Sequence, residues 1–401
     1  MSPHVKLAKR TSWIAPSATL AMDAAAKEMA RQGIDVISFG VGEPDFDTPK
    51  NVKDAAVAAL EKGRTKYTPA GGIHELKVAI QAKLARENNV EFDLSEIIVT
   101  VGAKHGLYGI TQVMFEEGDE VIVPAPYWVS YVEQIKVTGA TPVIVETSES
   151  DGFRMTPEAL LRAITPRTRA IMLNSPSNPT GAVYRREHLE AIAEIAVAKG
   201  IPVVSDEIYE PFIYAGASHT SIASLGPEIR KLTLIVNGVS KSHAMTGWRI
   251  GFVAGDRSVI KAMESLQSHS TSNPTSIAQW AAVEALNGSQ EPVKQMVAEF
   301  QKRRDYLVDR LRALPGIACS VPEGAFYVFP NVRSAFGRSY KGVRIDDSMQ
   351  LCRLLLEEAH ISIVPGSAFG TEGFVRISYA TSMRNIEEGM NRFERLWRAL
   401  E

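Results

Sequence analysis

The sequence predicts an α/β protein with two parts: a three-layer large domain around a mostly parallel sheet, and a smaller α+β domain built from both chain ends. Three observations predict it. Between Glu96 and Gly255 short β-branched runs alternate with helical stretches, the rhythm of a sheet covered by helices on both faces. Both chain ends break that rhythm. Finally, 401 residues that are 45% apolar and 22% charged suffice for a large core and are too apolar for disorder.

In chain order, Ser17 to Gln32 has the pattern of a helix stopped by Gly33, followed by a short strand at Val36 to Phe39 and a Gly/Pro/Asp-rich loop. The strand runs that follow are Ile97 to Val101, Val121 to Val123, Val143 to Val145, Ala170 to Leu173, Val203 to Val204, Leu232 to Val236 and Ile250 to Ala254. Segments between them carry helical spacing, as in Leu189, Ile192, Ile195 and Ala196 before the turn at Gly200. The last run follows too closely for a helical crossover, which leaves an antiparallel placement open. From about residue 313 the pattern becomes strand, helix, strand, strand, helix, and closes with Ile386, Met390, Phe393, Trp397 and Leu400 on one stripe. The expected division is 1–47 as an arm and part of the small domain, 48–312 as the large domain, and 313–401 as the remainder of the small one.

Charge excludes some partners. Lys and Arg number 44 against 46 Asp and Glu, a net charge of -2, so the chain has no overall electrostatic grip on nucleic acid or anionic lipid. No window approaches the ~18 apolar residues of a membrane span, and the first residues show no apolar core before a cleavage site, so a cytoplasmic location is expected. The two cysteines, Cys319 and Cys352, and the histidines lack metal-ligand spacing, so no metal is expected. Gly40-Val41-Gly42 lacks the third glycine of a dinucleotide fingerprint, and there is no phosphate-binding GxxxxGK[ST] loop.

In an open parallel sheet, ligands bind outside the carboxyl ends of the strands. The segments there are Gly102-Ala103-Lys104, Pro126-Tyr127-Trp128, Asn174 to Gly181, Asp206-Glu207-Ile208-Tyr209 and Ser240-Lys241-Ser242-His243. Asp206, directly after an apolar strand, is either a helix cap or a buried carboxylate paired with a cationic ring nitrogen. Lys241 is either a solvated surface lysine or an amine whose pKa falls in a cleft, making it a nucleophile. Arg249, with Ser240 and the Gly102-Ala103 backbone, offers a phosphate cradle; alone it is equally a structural ion pair. An amine to bond an aldehyde, an acid for a pyridinium nitrogen and a phosphate cradle together specify pyridoxal 5'-phosphate.

The sequence resembles, essentially end to end, the fold-type I, class I aminotransferases, and within them the aspartate aminotransferases of a bacterial subgroup. The resemblance is carried by Gly42 to Pro49 (GEPDFDTP), Lys66-Tyr67-Thr68-Pro69, Asn174 to Gly181 (NSPSNPTG), Ser205 to Tyr209 (SDEIY), and Ser240-Lys241 with Met245 to Gly251 (MTGWRIG). It implies that Lys241 bonds the cofactor covalently, that Asp206 holds its ring nitrogen, and that Asn178 and Tyr209 bond its phenolic oxygen. Trp128 stacks on the ring, and Gly102, Ala103, Ser240 and Arg249 hold the phosphate. Tyr67 reaches the cofactor of a partner subunit, which implies a homodimer with shared sites. Arg376, helped by the Gly42 backbone and Asn178, clamps the substrate α-carboxylate. A subgroup that reads a second carboxylate uses a partner arginine before a Ser-Asn-Pro segment; Ser268 to Asn273 contains none. Lys104 matches the lysine that the bacterial subgroup uses instead. The implied reaction is ping-pong transamination between L-aspartate and 2-oxoglutarate, with prephenate, aromatic amino acids or kynurenine as alternative substrates and a lyase of the same fold as a further one.

Overall fold

The computed structural model describes residues 5–16, 18–214 and 216–401. The expected first helix runs Ala18–Arg31; Ser17 lies outside the described residues.

Seven strands form the central sheet: β1 Ile97–Thr100, β2 Glu120–Ala125, β3 Thr141–Glu146, β4 Thr168–Asn174, β5 Val203–Asp206, β6 Thr233–Gly238 and β7 Gly251–Ala254. Their spatial order is β1-β7-β6-β5-β4-β2-β3. The neighbours from β6 through to β3 are parallel, whereas β7 is antiparallel to both β6 and β1. The cause is local. Between Gly238 and Gly251 the chain makes only one 3-10 turn, Thr246–Trp248, too little to carry it back for a parallel return.

Alternate residues of one strand feed different layers, as the period of two requires. Leu234 and Val236 of β6 pack with Ile98, Val121, Val204 and Val253 on one face, while Ile235 packs with Val99, Phe252 and Ala281 on the other. With both faces covered, every residue of β5 and β6 is buried. The parallel register sets Asn174 beside Asp206, and Asp206 beside Val236, so β4 and β5 finish level and β6 runs on to Gly238.

The chain ends meet in a second core. Ile37–Ser38 pairs in parallel with Ile361–Ser362, and a separate antiparallel sheet runs Val364–Pro365, Val375–Ser378, Tyr327–Val328. Met22 and Phe39 pack there with Leu355, Ile361, Phe393 and Trp397, and the helix Glu291–Arg312 adds Phe300, Leu307 and Leu311. The closing helix is Met383–Arg398, with Ile386, Met390, Phe393 and Trp397 buried; Leu400 is buried just beyond its end. Among the described residues, no helix is long and apolar enough to cross a membrane.

Candidate active site

The carboxyl ends of β4, β5 and β6 open into a cavity of about 490 Å³ that also touches the second core. Of the residues expected from sequence, Gly42, Ala103, Lys104, Trp128, Asn178, Asp206, Tyr209, Ser240, Lys241, Arg249 and Arg376 line it. Gly102 does not line it but precedes Ala103 and packs against Arg249, which both do. Tyr67 does not line it and is 89% exposed in the single chain.

Asp206 ends β5 and is buried. Its Oδ2 accepts the Tyr131 hydroxyl at 2.6 Å and its Oδ1 the Ile208 N–H at 3.2 Å. A turn follows it, so it caps no helix. Burial pushes its carboxyl up to about 6; the two hydrogen bonds and Lys241 pull down, while the neighbouring Glu207 charge pushes up. The Lys241 Nζ donates to the Gly42 carbonyl. Burial brings the Lys241 ammonium down to about 8, against the pull of Glu43 and with help from the cations Arg376, Arg249 and Lys104. A lysine so placed is a usable amine near neutral pH.

The opposite corner gathers hydrogen-bond donors and a positive charge. Helix Ala103–Met114 begins at the cavity, so its free N–H groups open toward the wall that carries Ser240 and Arg249. Arg249 donates to the carbonyls of Thr246 (2.7 Å) and Val101 (3.4 Å), and among the described residues it has no carboxylate partner, which removes the ion-pair alternative. Two glycines allow the close approach. A Cβ on Gly102, whose φ is +81°, would lie 2.3 Å from the Arg249 Nη2, and one on Gly251 would lie 2.3 Å from the Ala103 nitrogen. Gly251→Ala is therefore expected to push the helix start out of place and to cost about 1–3 kcal/mol of stability. Chemical denaturation beside wild type checks this, and an unchanged midpoint refutes it.

Arg376 enters from the strand Val375–Ser378 and is 3% exposed. Its Nη1 donates to Asn178 Oδ1 at 3.0 Å and its Nη2 to the Gly40 carbonyl at 2.6 Å, with the guanidinium 4.6 Å from the Tyr327 ring centre. Its Nε is buried without a partner, and among the described residues no carboxylate pairs with it. Burial disfavours this charge, and among the described residues no carboxylate offsets it. Asn178 continues the network, its Nδ2 donating to the Tyr209 hydroxyl at 3.4 Å; that hydroxyl lies 2.8 Å from the Tyr327 hydroxyl. Lys104 Nζ sits 4.8 Å from the Trp128 ring centre, and burial followed by Arg249 holds its pKa down.

Sequence reasoning missed Tyr131, Tyr327 and Glu43, all of which line this cavity. Tyr131 carried no usable signal, since a buried aromatic just inside a helix reads as core. Tyr327 carried none, since an aromatic in a short buried strand reads as core. Glu207, Glu210 and His219 bring ligand atoms within 4.8 Å of one another. Ser205, Ser221 and Asn88 donate to Glu207, while Lys83 pairs with Glu210, so both carboxylates are already engaged in an ion-pair network.

The chain has an α/β fold with a polar cavity at the carboxyl ends of its strands, and its relatives make it a group-transfer enzyme. The sequence profile of the aminotransferase class I and II family matches residues 34–393, and the chain belongs to that family. It is 53% identical to an aspartate aminotransferase of Geobacillus stearothermophilus, over 98% of this chain and 100% of the relative. Among solved structures it is similar to the aspartate aminotransferase of Rhizobium meliloti, with a TM-score of 0.96, 45% identity, and coverage of 99% of this chain and 100% of that one. It is also similar to the Thermus thermophilus aspartate aminotransferase with maleate, at a TM-score of 0.92, 45% identity, and coverage of 98% and 100%.

Proposed function

We propose that the protein transfers the amino group of L-aspartate to 2-oxoglutarate, forming oxaloacetate and L-glutamate, with pyridoxal 5'-phosphate as cofactor and as a homodimer. The observation that carries this reading is a depressed lysine, a buried acid and a buried guanidinium with no carboxylate partner among the described residues, all lining one cavity. The donor set fits the cofactor: a carboxylate that burial leaves short of a cationic partner suits a ring nitrogen, and the Gly102 cradle under Arg249 suits a phosphate.

In this reading Ser240, Arg249 and the Gly102-Ala103 backbone hold the phosphate, Trp128 covers the ring, and Asn178 and Tyr209 bond the phenolic oxygen. When bound, the cofactor supplies an electron sink for the carbanion left at the substrate Cα. Arg376 grips the α-carboxylate in bidentate fashion and so aims the Cα–H bond at Lys241. The neutral Lys241 Nζ takes the Cα proton, which its lowered pKa permits near neutral pH. The ionised Asp206 keeps positive charge on the ring nitrogen facing it. The small domain, residues 1–47 and 313–401, closes on residues 48–312 and excludes water. The 89% exposed Tyr67 is free to reach the partner's cofactor phosphate.

Aspartate needs a second cation, and in this reading it is Lys104, which lines the same cavity beside Trp128. Lys104→Ala is expected to cost aspartate ~2–5 kcal/mol of transition-state binding and to spare aromatic or aliphatic substrates. Ratios of kcat/KM across a panel of amino acids with 2-oxoglutarate test this. A variant as active on aspartate as wild type removes Lys104 from the role, and a wild type that passes no amine from aspartate removes the proposed reaction.

A further inference from the structure

Asp206 receives its shortest hydrogen bond from a residue that none of the expected motifs contains. Tyr131, 2% exposed on the helix Ser130–Lys136, donates to Asp206 Oδ2 at 2.6 Å. The same ring meets Trp128 edge to face, 5.3 Å between centres and 79° between planes. One side chain thus braces both the acid and the aromatic wall of the cavity. Among the described residues the other oxygen, Oδ1, has only the 3.2 Å contact with the Ile208 N–H.

We infer that Tyr131 is a positioning residue for this enzyme: its hydroxyl fixes the orientation of the Asp206 carboxylate and favours its ionised form, while its ring holds Trp128 in place. Among the described residues the only other hydrogen bond restraining rotation of the Asp206 side chain is the longer backbone contact, and a hydrogen bond donated to a carboxylate stabilises the charged state. The other ionisable groups facing Asp206 are Lys241, which favours the carboxylate, and Glu207 and Tyr209. Glu207 is already engaged by Ser205, Ser221, Asn88 and His219, so the Tyr131 hydroxyl is the side-chain donor available to Asp206 among the described residues.

The inference rests on the cofactor proposed above, and Tyr131→Phe tests it, because phenylalanine keeps the edge contact and deletes the hydroxyl. Tyr214→Phe serves as the control: Tyr214 is a 2% exposed tyrosine whose hydroxyl bonds the Ala325 carbonyl outside the cavity. Equilibrium dialysis of each apoprotein with pyridoxal 5'-phosphate across pH reads the effect apart from turnover. For Tyr131→Phe we expect the Kd to rise roughly tenfold or more, the size of a lost hydrogen bond to a charged group. The pH below which binding weakens should move upward, because the carboxylate then protonates more readily. In turnover, kcat should fall while KM for aspartate changes less than about twofold. Tyr214→Phe should bind as wild type does. Wild-type affinity and acid limb in Tyr131→Phe, or equal weakening in Tyr214→Phe, would overturn the inference. A wild-type protein that takes up no cofactor would instead refute the function proposed above, and this inference with it.

Discussion

Replacing Lys241 by alanine is expected to lower kcat for amine transfer by about 10⁴-fold or more, the upper range for one acid–base group, with loss of the covalent hold on the cofactor added to it. Lys241→Arg should fare little better. It keeps a positive charge beside Gly42 and Glu43, but a guanidinium has no neutral form to accept a proton. The pH dependence has a definite sign. Burial is the largest cause lowering the Lys241 pKa, to about 8, so the ammonium dominates below that pH and the free amine above it. Uptake of pyridoxal 5'-phosphate by the apoprotein should therefore quicken by about tenfold per pH unit on approach to pH 8 and level off beyond it. Stopped-flow absorbance measures this directly. A Lys241→Ala variant with near wild-type kcat would place the base elsewhere, with Lys104 the next candidate in the same cavity.

Asp206→Asn should cost about 10²–10³-fold in kcat, comparable to removing one preorganised electrostatic partner of a transition state. Asparagine preserves the shape of the side chain and still accepts the Tyr131 hydroxyl through its carbonyl oxygen; only the charge is lost. In wild type that charge is present above the Asp206 pKa, which burial sets at about 6 in the free protein, and it disappears as pH falls through that value. Cofactor affinity should therefore weaken below about pH 6 in wild type and stay weak and flat across the same range in Asp206→Asn. Calorimetric titration at pH 5, 6 and 7 separates the two. Equal pH profiles would mean that Asp206 faces no cation.

The parts of this site legible in the sequence lie at the ends of parallel strands. Asp206 and Lys241 follow β-branched runs, and the rule that ligands gather at carboxyl ends points to both before any geometry is known. Arg376 is different. It reaches Asn178 and the Gly40 carbonyl from a strand more than 300 residues beyond Gly40, an approach that periodicity cannot show, so only the resemblance carried it. Tyr131 and Tyr327 escaped because buried aromatics are ordinarily core, and nothing in a single sequence marks the few whose hydroxyl faces a polar site. The fold behaved similarly. Strand positions and the stripe through Ile386, Met390, Phe393 and Trp397 follow from local pattern, whereas the antiparallel setting of β7 was open until its short connection from β6 decided it.

The account turns on the Lys241 amine and the Asp206 carboxylate addressing one ring. Borohydride reduction of protein reconstituted with pyridoxal 5'-phosphate, followed by peptide mapping in the wild type and in Asp206→Asn, tests this most directly. The account predicts that the reduced cofactor is found on Lys241 in stoichiometric yield in wild type, and on the same residue at lower occupancy in Asp206→Asn. Label on Lys104 or another lysine, or occupancy indifferent to the loss of the Asp206 charge, would contradict it.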